Sequence, residues 1–225
     1  MDGAILAIDT AGPRCSAALA TASGDVLAKR EPELGRGHAE RLMAIVAEVL
    51  AEAGLAYRDI GRIVATVGPG SFTGLRVGVA AARGLALTLG VPALGVSTLE
   101  ALAEPHGGDC PVLALLDAKR GEAYVAAYDR GGAEILAPEA IALDALEARL
   151  RGLTPAPTLV VGSGAFLLET MGSLADLPVR DSEGNVRIEA VARLGVMKPP
   201  GAAPSPLYLR GADAKPQASR PSLTA

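Results

Sequence analysis

The 225-residue sequence contains few aromatic and sulfur-bearing side chains. It has no tryptophan, two phenylalanines, four tyrosines and two cysteines. Cys15 and Cys110 lie far apart and form no CxxC pair, which excludes a disulfide framework and gives no support to a thiolate zinc site. Half of the residues are hydrophobic, so the core must be built from aliphatic side chains. Such a composition favours closely packed helices and strands.

Histidine is equally scarce, and this limits metal and nucleophilic chemistry. The two histidines are His38 and His106. A metal-binding helix that began with His38 would need a second ligand one turn later, where the sequence has Arg41 and Leu42. The sequence also lacks a GxSxG nucleophile elbow. The sequence therefore does not indicate zinc-dependent hydrolysis, and His38 is predicted to lie near a helix start as a surface or capping residue.

Basic residues are outnumbered by acidic ones. The sequence has 21 Lys and Arg against 25 Asp and Glu, a formal net charge of −4. A protein that binds nucleic acid by itself clusters Lys and Arg to neutralise phosphates, so any nucleic-acid role would depend on a more basic partner. The N-terminus has no signal-peptide pattern, and no apolar run reaches membrane-spanning length without glycine, proline or charge. We expect a cytoplasmic protein that does not associate with membranes.

Two successive halves of the chain have the same predicted order of elements, strand-strand-strand-helix-strand-helix. In the first half, strands are predicted at 4–9, 15–20, 26–30, 63–67 and 93–97, and helices at 38–53, 73–89 and 99–103. In the second half, strands are predicted at 112–116, 122–128, 133–136 and 158–161, and helices at 143–150 and 165–171. These patterns predict an N-terminal α/β domain over 1–104, a C-terminal α/β domain over 109–198, a linker and return segment over 199–212, and a disordered tail over 213–225.

The helix predicted after the central strand is apolar on two sides. One stripe contains Leu75, Val79, Ala82 and Ala86, and a second contains Val77, Ala81 and Leu85, while Arg76 and Arg83 mark a narrow polar line. A helix that is apolar around most of its circumference must be covered on most of it. One face can lie on the sheet. The other is covered either by the rest of the chain or by a partner, and the residues alone leave both readings open.

The end of the first predicted strand is the strongest candidate for catalysis. In two-domain α/β phosphotransferases an acidic residue at this place holds a metal or its waters, and the following turn wraps a phosphate. Asp9 and Thr10 occupy this place, but Pro13 removes one N–H donor from the turn. The alternative is that Asp9 caps the turn. The glycine turns at 68–70 and 162–164 and the charged hairpin tip at 117–122 are weaker candidates for the same cleft.

Five segments resemble the TsaB (YeaZ) family and occur in the same order as in that family. They are IDT at 8–10, VGPGSFTGLRVG at 67–78, GVSTLEAL at 95–102, LLDAKRGEAY at 115–124 and PLYLRGADAK at 206–215. The family contains the bacterial subunit required for threonylcarbamoyladenosine on tRNA. The resemblance implies an α/β fold with two βββαβα domains of the actin/Hsp70-like ATPase (ribonuclease H-like) fold.

The resemblance also implies a scaffold subunit without catalytic residues, metal or cofactor. Its partners would be the paralogue TsaD and the ATPase TsaE, with tRNA contacted through the complex. The uncovered helix face leaves open whether the isolated chain is a monomer or a homodimer. TsaD would bind the helices at 38–53 and 73–89. The predicted interface residues are Leu42, Ile45, Leu75, Arg76, Val79, Ala82, Arg83 and Ala86. Two alternatives stay open: an ATP-dependent phosphotransferase with Asp9 at the metal, and a glycoprotease-like metallopeptidase.

Overall fold

The computed structural model describes residues 3–210, which form two five-stranded sheets. The first sheet contains β1 (Ala4–Asp9), β2 (Ser16–Ala20), β3 (Val26–Arg30), β4 (Ile60–Gly68) and β5 (Ala93–Ser97). The second contains β6 (Val112–Lys119), β7 (Glu122–Tyr128), β8 (Glu134–Ala142), β9 (Leu159–Val161) and β10 (Val179–Arg180). The strand orders are β3-β2-β1-β4-β5 and β8-β7-β6-β9-β10. The two halves therefore repeat one topology, as the sequence predicts.

Five α-helices accompany these strands in the described part of the chain. They are α1 (His38–Ala53), α2 (Phe72–Leu89), α3 (Thr98–Ala103), α4 (Leu143–Arg151) and α5 (Ile188–Met197). α1 ends at Gly54, whose φ of 66° is the left-handed conformation that favours glycine. Ser71 caps α2 by accepting a hydrogen bond from the Gly74 N–H at 3.2 Å. The tail predicted at 213–225 lies outside the described residues.

The strand pairing brings several strand ends to one edge of the first sheet. β1 pairs parallel with β4, and β4 pairs parallel with β5, whereas β2 runs antiparallel to both β1 and β3. All six residues of β1 are buried, as expected of a central strand covered on both faces. The carboxyl ends of β1, β4 and β5 meet at the same edge, where loops from different strands can form a site.

The helices pack in three layers around the two sheets. α1 and α2 cover the outer face of the first sheet, and α4 covers the outer face of the second. α3 and α5 lie between the sheets, and each packs on the sheet of the other half: α3 on β6 and β7, α5 on β1 and β2. Gly195 in α5 lies so close to Val64 that an added Cβ would overlap that side chain. The two halves are thus interlocked through a shared core.

Three parts of the second half differ from the prediction. α5 and the two-residue strand β10 are not predicted by the sequence patterns. The helix predicted at 165–171 is wrong in type, because the structure has separate 3-10 turns at Ala165–Leu168 and Gly172–Leu174. Gly172 has φ +56°, a left-handed conformation that keeps the second turn from continuing the first as one helix. Among the described residues, the second half has no long counterpart of α2 after β9.

Candidate functional site

A cleft of about 330 Å³ opens at the sheet edge where β1 and β4 end. One wall is formed by the turns after β1 and β4, including Asp9, Gly12 and Gly70. The opposite wall comes from the second half, including Asp117 and Ser163. All three weaker candidate segments, at 68–70, 117–122 and 162–164, therefore contribute residues to the same cleft as Asp9.

Asp9 is held by two hydrogen bonds within the fold. Its Oδ1 accepts from the Thr66 hydroxyl at 2.6 Å and from the Ala11 N–H at 3.0 Å. Burial raises the pKa of the Asp9 carboxyl above its usual range, and the bonds from Thr66 and Ala11 lower it only in part. The second bond makes Asp9 the cap of its own turn, which is the structural alternative considered for this residue.

Thr10 connects the same turn to α2. Its hydroxyl donates to the Gly74 carbonyl oxygen at 2.7 Å, and the Ser71 N–H donates to the Ala11 carbonyl oxygen at 2.8 Å. A Cβ added at Gly74 would overlap the Thr10 carbonyl oxygen. The small residues at the start of α2 thus let the helix approach the β1 turn. As a result, the Thr10 hydroxyl and the Ser71 N–H are already hydrogen-bonded within the fold, whereas a phosphate-binding turn would offer such donors to its ligand.

The acidic side chains of the cleft are Asp9, Asp117 and Glu183. Within residues 3–210, no group of three or more His, Cys, Asp or Glu side chains is arranged so that it could hold a metal ion. A salt bridge to Lys119 at 2.5 Å is the main cause of the lowered pKa of Asp117. The Nε2 atom of His38 lies 3.2 Å from each of the carbonyl oxygens of Gly12 and Arg14. It therefore supports the β1 turn from the start of α1.

The structure places six of the eight predicted interface residues inside the chain. Leu42, Ile45, Leu75, Val79, Ala82 and Ala86 are between 0% and 8% exposed. They face the first sheet, because the glycines of α2 bring this side of the helix onto the β1 turn. Arg76 and Arg83 are exposed. The apolar stripe predicted for partner contact is thus the core face of α2, and of the eight predicted residues Arg76 and Arg83 are the two at the surface.

The outer face of the α1–α2 pair carries several exposed apolar side chains. On α2, Phe72 is 56% and Leu87 86% exposed, and on α1 Met43 is 42% exposed. The small residues Ala44, Ala47, Ala80 and Gly84 are exposed too, next to charged side chains that include Arg76, Arg83 and Glu48. We call the seven uncharged residues the outer helix face. The sequence signal for it was that Leu87 lies on neither apolar stripe of α2.

α2 has more apolar character than its own chain buries. Among the helices of residues 3–210, α2 is the one that is long and apolar enough to cross a membrane, judged by length and composition alone, with 18 residues and a mean hydropathy of 1.2. A helix packed on a sheet passes the same test, and α2 packs on β4. One third of its residues are buried, and Val77, Ala81 and Leu85 are partly buried against the core of the first half. The exposed apolar side chains Phe72, Ala80 and Leu87 are available to a cover from outside the chain.

Comparisons with solved structures give the class of protein. "YeaZ from Pseudomonas aeruginosa" matches with a TM-score of 0.71 and 29% identity over 86% of this chain and 90% of that chain. A second P. aeruginosa protein, described as similar to peptidase YEAZ, matches with a TM-score of 0.73 and 27% identity over 92% of this chain and 100% of that chain. The chain is a two-lobed α/β protein with the fold of these two structures.

Sequence comparisons give the family. A family model described as "TsaD: tRNA N6-adenosine threonylcarbamoyltransferase" matches residues 31–161. The tRNA threonylcarbamoyladenosine biosynthesis protein TsaB of Escherichia coli K12 is 37% identical over 80% of this chain and 79% of its own length. The TsaB of Bacillus subtilis is 38% identical over 55% of this chain and 54% of its own length. The chain belongs to the TsaB (YeaZ) family.

Proposed function

We propose that this chain is a non-catalytic subunit of tRNA threonylcarbamoyladenosine biosynthesis that acts by binding a TsaD-type chain through the outer helix face. The names of its relatives support the pathway. The observation that carries the binding role is the exposure of large apolar side chains on α2, where Leu87 is 86% and Phe72 56% exposed.

The chemistry of the outer helix face fits a helical partner. Ala44, Ala47, Ala80 and Gly84 are small, so a second pair of helices can approach the backbone closely. Leu87 and Phe72 project beyond them as large apolar groups, of the kind that dominates the binding energy when buried in an interface. A specific interface of ordinary size covers about 800 Å² on each partner. Two helices of 16 and 18 residues present a surface of that scale.

A TsaD-type partner is favoured by the relationship between the two families. The TsaD family model matches residues 31–161, a range that includes α1 and α2. A TsaD chain would therefore carry a corresponding helix pair, and two related chains can pack these pairs about an approximate two-fold axis. The same geometry would allow two copies of this chain to pair when no partner is present. TsaE would join the assembled pair, and tRNA would be contacted through the complex because this chain is acidic.

The absence of a catalytic role is supported by the contacts of Asp9 and Thr10. Both side chains form hydrogen bonds within the fold, and this arrangement needs no metal or nucleotide. A phosphotransferase would instead bind ATP and magnesium in the cleft, and a metallopeptidase would purify with stoichiometric metal. Calorimetry with ATP and magnesium and elemental analysis of the purified chain test these two alternatives. As part of the proposal, we place the chain in the cytoplasm.

The experiment compares the same substitution at two exposed leucines. Leu87→Glu places a charge in the outer helix face, whereas Leu27→Glu places one on β3, where Leu27 is 47% exposed. We expect Leu87→Glu to abolish co-elution with TsaD and to stop tRNA modification in a mixture of TsaD, TsaE, tRNA, ATP and threonylcarbamoyl donor. Leu27→Glu should do neither, and both variants should unfold near the wild-type temperature. Undiminished binding of TsaD by Leu87→Glu would contradict the proposal.

A further inference from the structure

The segment after α5 returns across the molecule and contacts both halves. We call residues 204–210 the return strap. Its first part lies on the first half: the Leu207 N–H donates to the Val67 carbonyl oxygen at 2.7 Å. Pro204 is buried, and its Cβ would lie 3.6 Å from a Cβ built at Gly95. The strap is therefore fixed beside the end of β4, next to the turn at 68–70.

Tyr208 adds a second attachment to the first half. Its hydroxyl accepts a hydrogen bond from Arg76 Nε at 2.9 Å. Its ring centroid lies 5.5 Å from that of Phe72, and the Arg76 guanidinium carbon lies 3.8 Å from the Phe72 centroid. The first turn of α2 and the strap thus form one cluster in which the arginine side chain contacts both aromatic rings.

Arg210 attaches the strap to the second half. Its Nη2 donates to the carbonyl oxygens of Ala118 and Lys119, each at 3.2 Å. Its guanidinium also forms a salt bridge with Glu122 and lies 6.0 Å from the centroid of the Tyr124 ring. All four partners belong to the β6–β7 hairpin. Charge-assisted bonds of this kind are stronger than neutral ones.

The two attachments lie on opposite walls of the cleft. Leu207 is bonded to Val67, and Pro69 and Gly70, which come shortly after Val67 in the chain, line one wall. Ala118 and Tyr124, which contact Arg210, line the other wall. Only three residue steps separate Leu207 from Arg210, so their Cα atoms can be at most about 10 Å apart in a fully extended chain. The walls cannot separate further at this point while both attachments hold.

We propose that the return strap is an intramolecular clamp that fixes the opening of the cleft without any ligand bound in it. A two-lobed protein whose lobes are held by a ligand opens when the ligand leaves. In this chain the two walls are connected by residues of the same polypeptide, which are attached to each wall by hydrogen bonds and, at Arg210, by a salt bridge. The clamp is a property of the isolated chain and does not depend on whether TsaD is its partner.

Hydrogen–deuterium exchange of the full-length chain tests the clamp. Arg210→Ala removes the attachment to the second half, and Arg210→Lys keeps a positive charge near Glu122 while removing the planar fork. Arg130→Ala is the matched control, because Arg130 donates to the Asp109 carbonyl oxygen at 2.9 and 3.1 Å within the second half. The amides to follow are those of the cleft walls, at 68–75 and 117–124, with β1 and α1 as internal references.

In Arg210→Ala we expect the wall amides to exchange at least about tenfold faster than in wild type, because the variant loses two charge-assisted hydrogen bonds and a salt bridge. Arg210→Lys should show an intermediate increase, and Arg130→Ala none at these sites. β1 and α1 should keep wild-type rates in all three variants. Wild-type rates at the walls in both Arg210 variants would overturn the proposal. So would an equal increase in β1 and α1, since that result would make Arg210 a general stabiliser of the fold.

Discussion

Ala80 and Ala82 lie two residues apart on α2, and the structure predicts opposite consequences of the same change. Ala82 is fully buried in the core between α2 and the first sheet, whereas Ala80 is exposed. Ala82→Glu would put a charge without a partner into this core, which costs about 3–5 kcal/mol, and overpacking adds about 1–3 kcal/mol. Folded domains are stable by about 5–15 kcal/mol. We therefore expect Ala82→Glu to lose most of its stability.

Ala80→Glu should leave the isolated chain within about 0.5 kcal/mol of wild-type stability, as for most surface changes. It should nevertheless abolish binding to TsaD, because the new carboxylate would be buried in the interface. Urea unfolding followed by circular dichroism measures the first quantity, and co-elution with TsaD measures the second. The reasoning is refuted if Ala82→Glu folds as stably as wild type and loses only TsaD binding. The core stripe would then be the partner surface after all.

Two further predictions concern carboxyl groups whose pKa differs from its usual value. Asp9→Asn keeps the acceptor for Thr66 and Ala11. Because burial raises the pKa of Asp9, the ionised group costs stability at neutral pH, so urea unfolding at pH 7 should find the variant at least as stable as wild type. The difference should stay constant down to the folded-state pKa of Asp9 and shrink as the pH falls from there towards the ordinary value of 3.8. Threonylcarbamoyladenosine formation should be unchanged, and its loss would favour the phosphotransferase alternative. Burial raises the pKa of Asp181, but hydrogen bonds from His106 and Arg187 outweigh this effect and lower the pKa below its ordinary value of 3.8. The ionised carboxylate therefore stabilises the fold above about pH 4, and this contribution is lost as the pH falls through the folded-state pKa. Asp181→Asn, which suits the local φ of 46°, should therefore be less stable than wild type at pH 7 and equally stable at low pH; a gap that is the same at all pH values would contradict this origin.

The sequence predicts α1 with its observed bounds because Leu42, Ile45 and Val49 repeat with helical spacing and Gly54 terminates the helix. It does not predict which side of α2 faces the sheet, because both stripes are apolar. The tertiary contact of Gly74 and Gly78 with Thr10 decides this, and periodicity contains no information about it. Six of the eight residues predicted for the interface are therefore buried in the chain's own core, and the partner contact itself stays a prediction.

Other features escaped prediction for different physical reasons. α5 has only 10 residues and no side-chain N-cap, so its local signal is weak, and the shared core supplies its stability. The contact of Tyr208 with Arg76 joins residues far apart in the chain, and no local pattern indicates it. Asp9 was correctly placed at the cleft from its position after a buried strand, but its bond to Thr66 depends on the parallel pairing of β1 with β4.

The exchange of α3 and α5 between the two halves has a consequence for synthesis on the ribosome. The inner face of the first sheet, formed by residues such as Ile5, Ala7 and Ala18, is covered by α5. A nascent chain that has completed β5 would therefore still expose this apolar face, and it would stay uncovered until residues 188–197 leave the exit tunnel. The N-terminal half cannot finish folding as an independent unit during translation, because α5 is made only after all the strands of the second half.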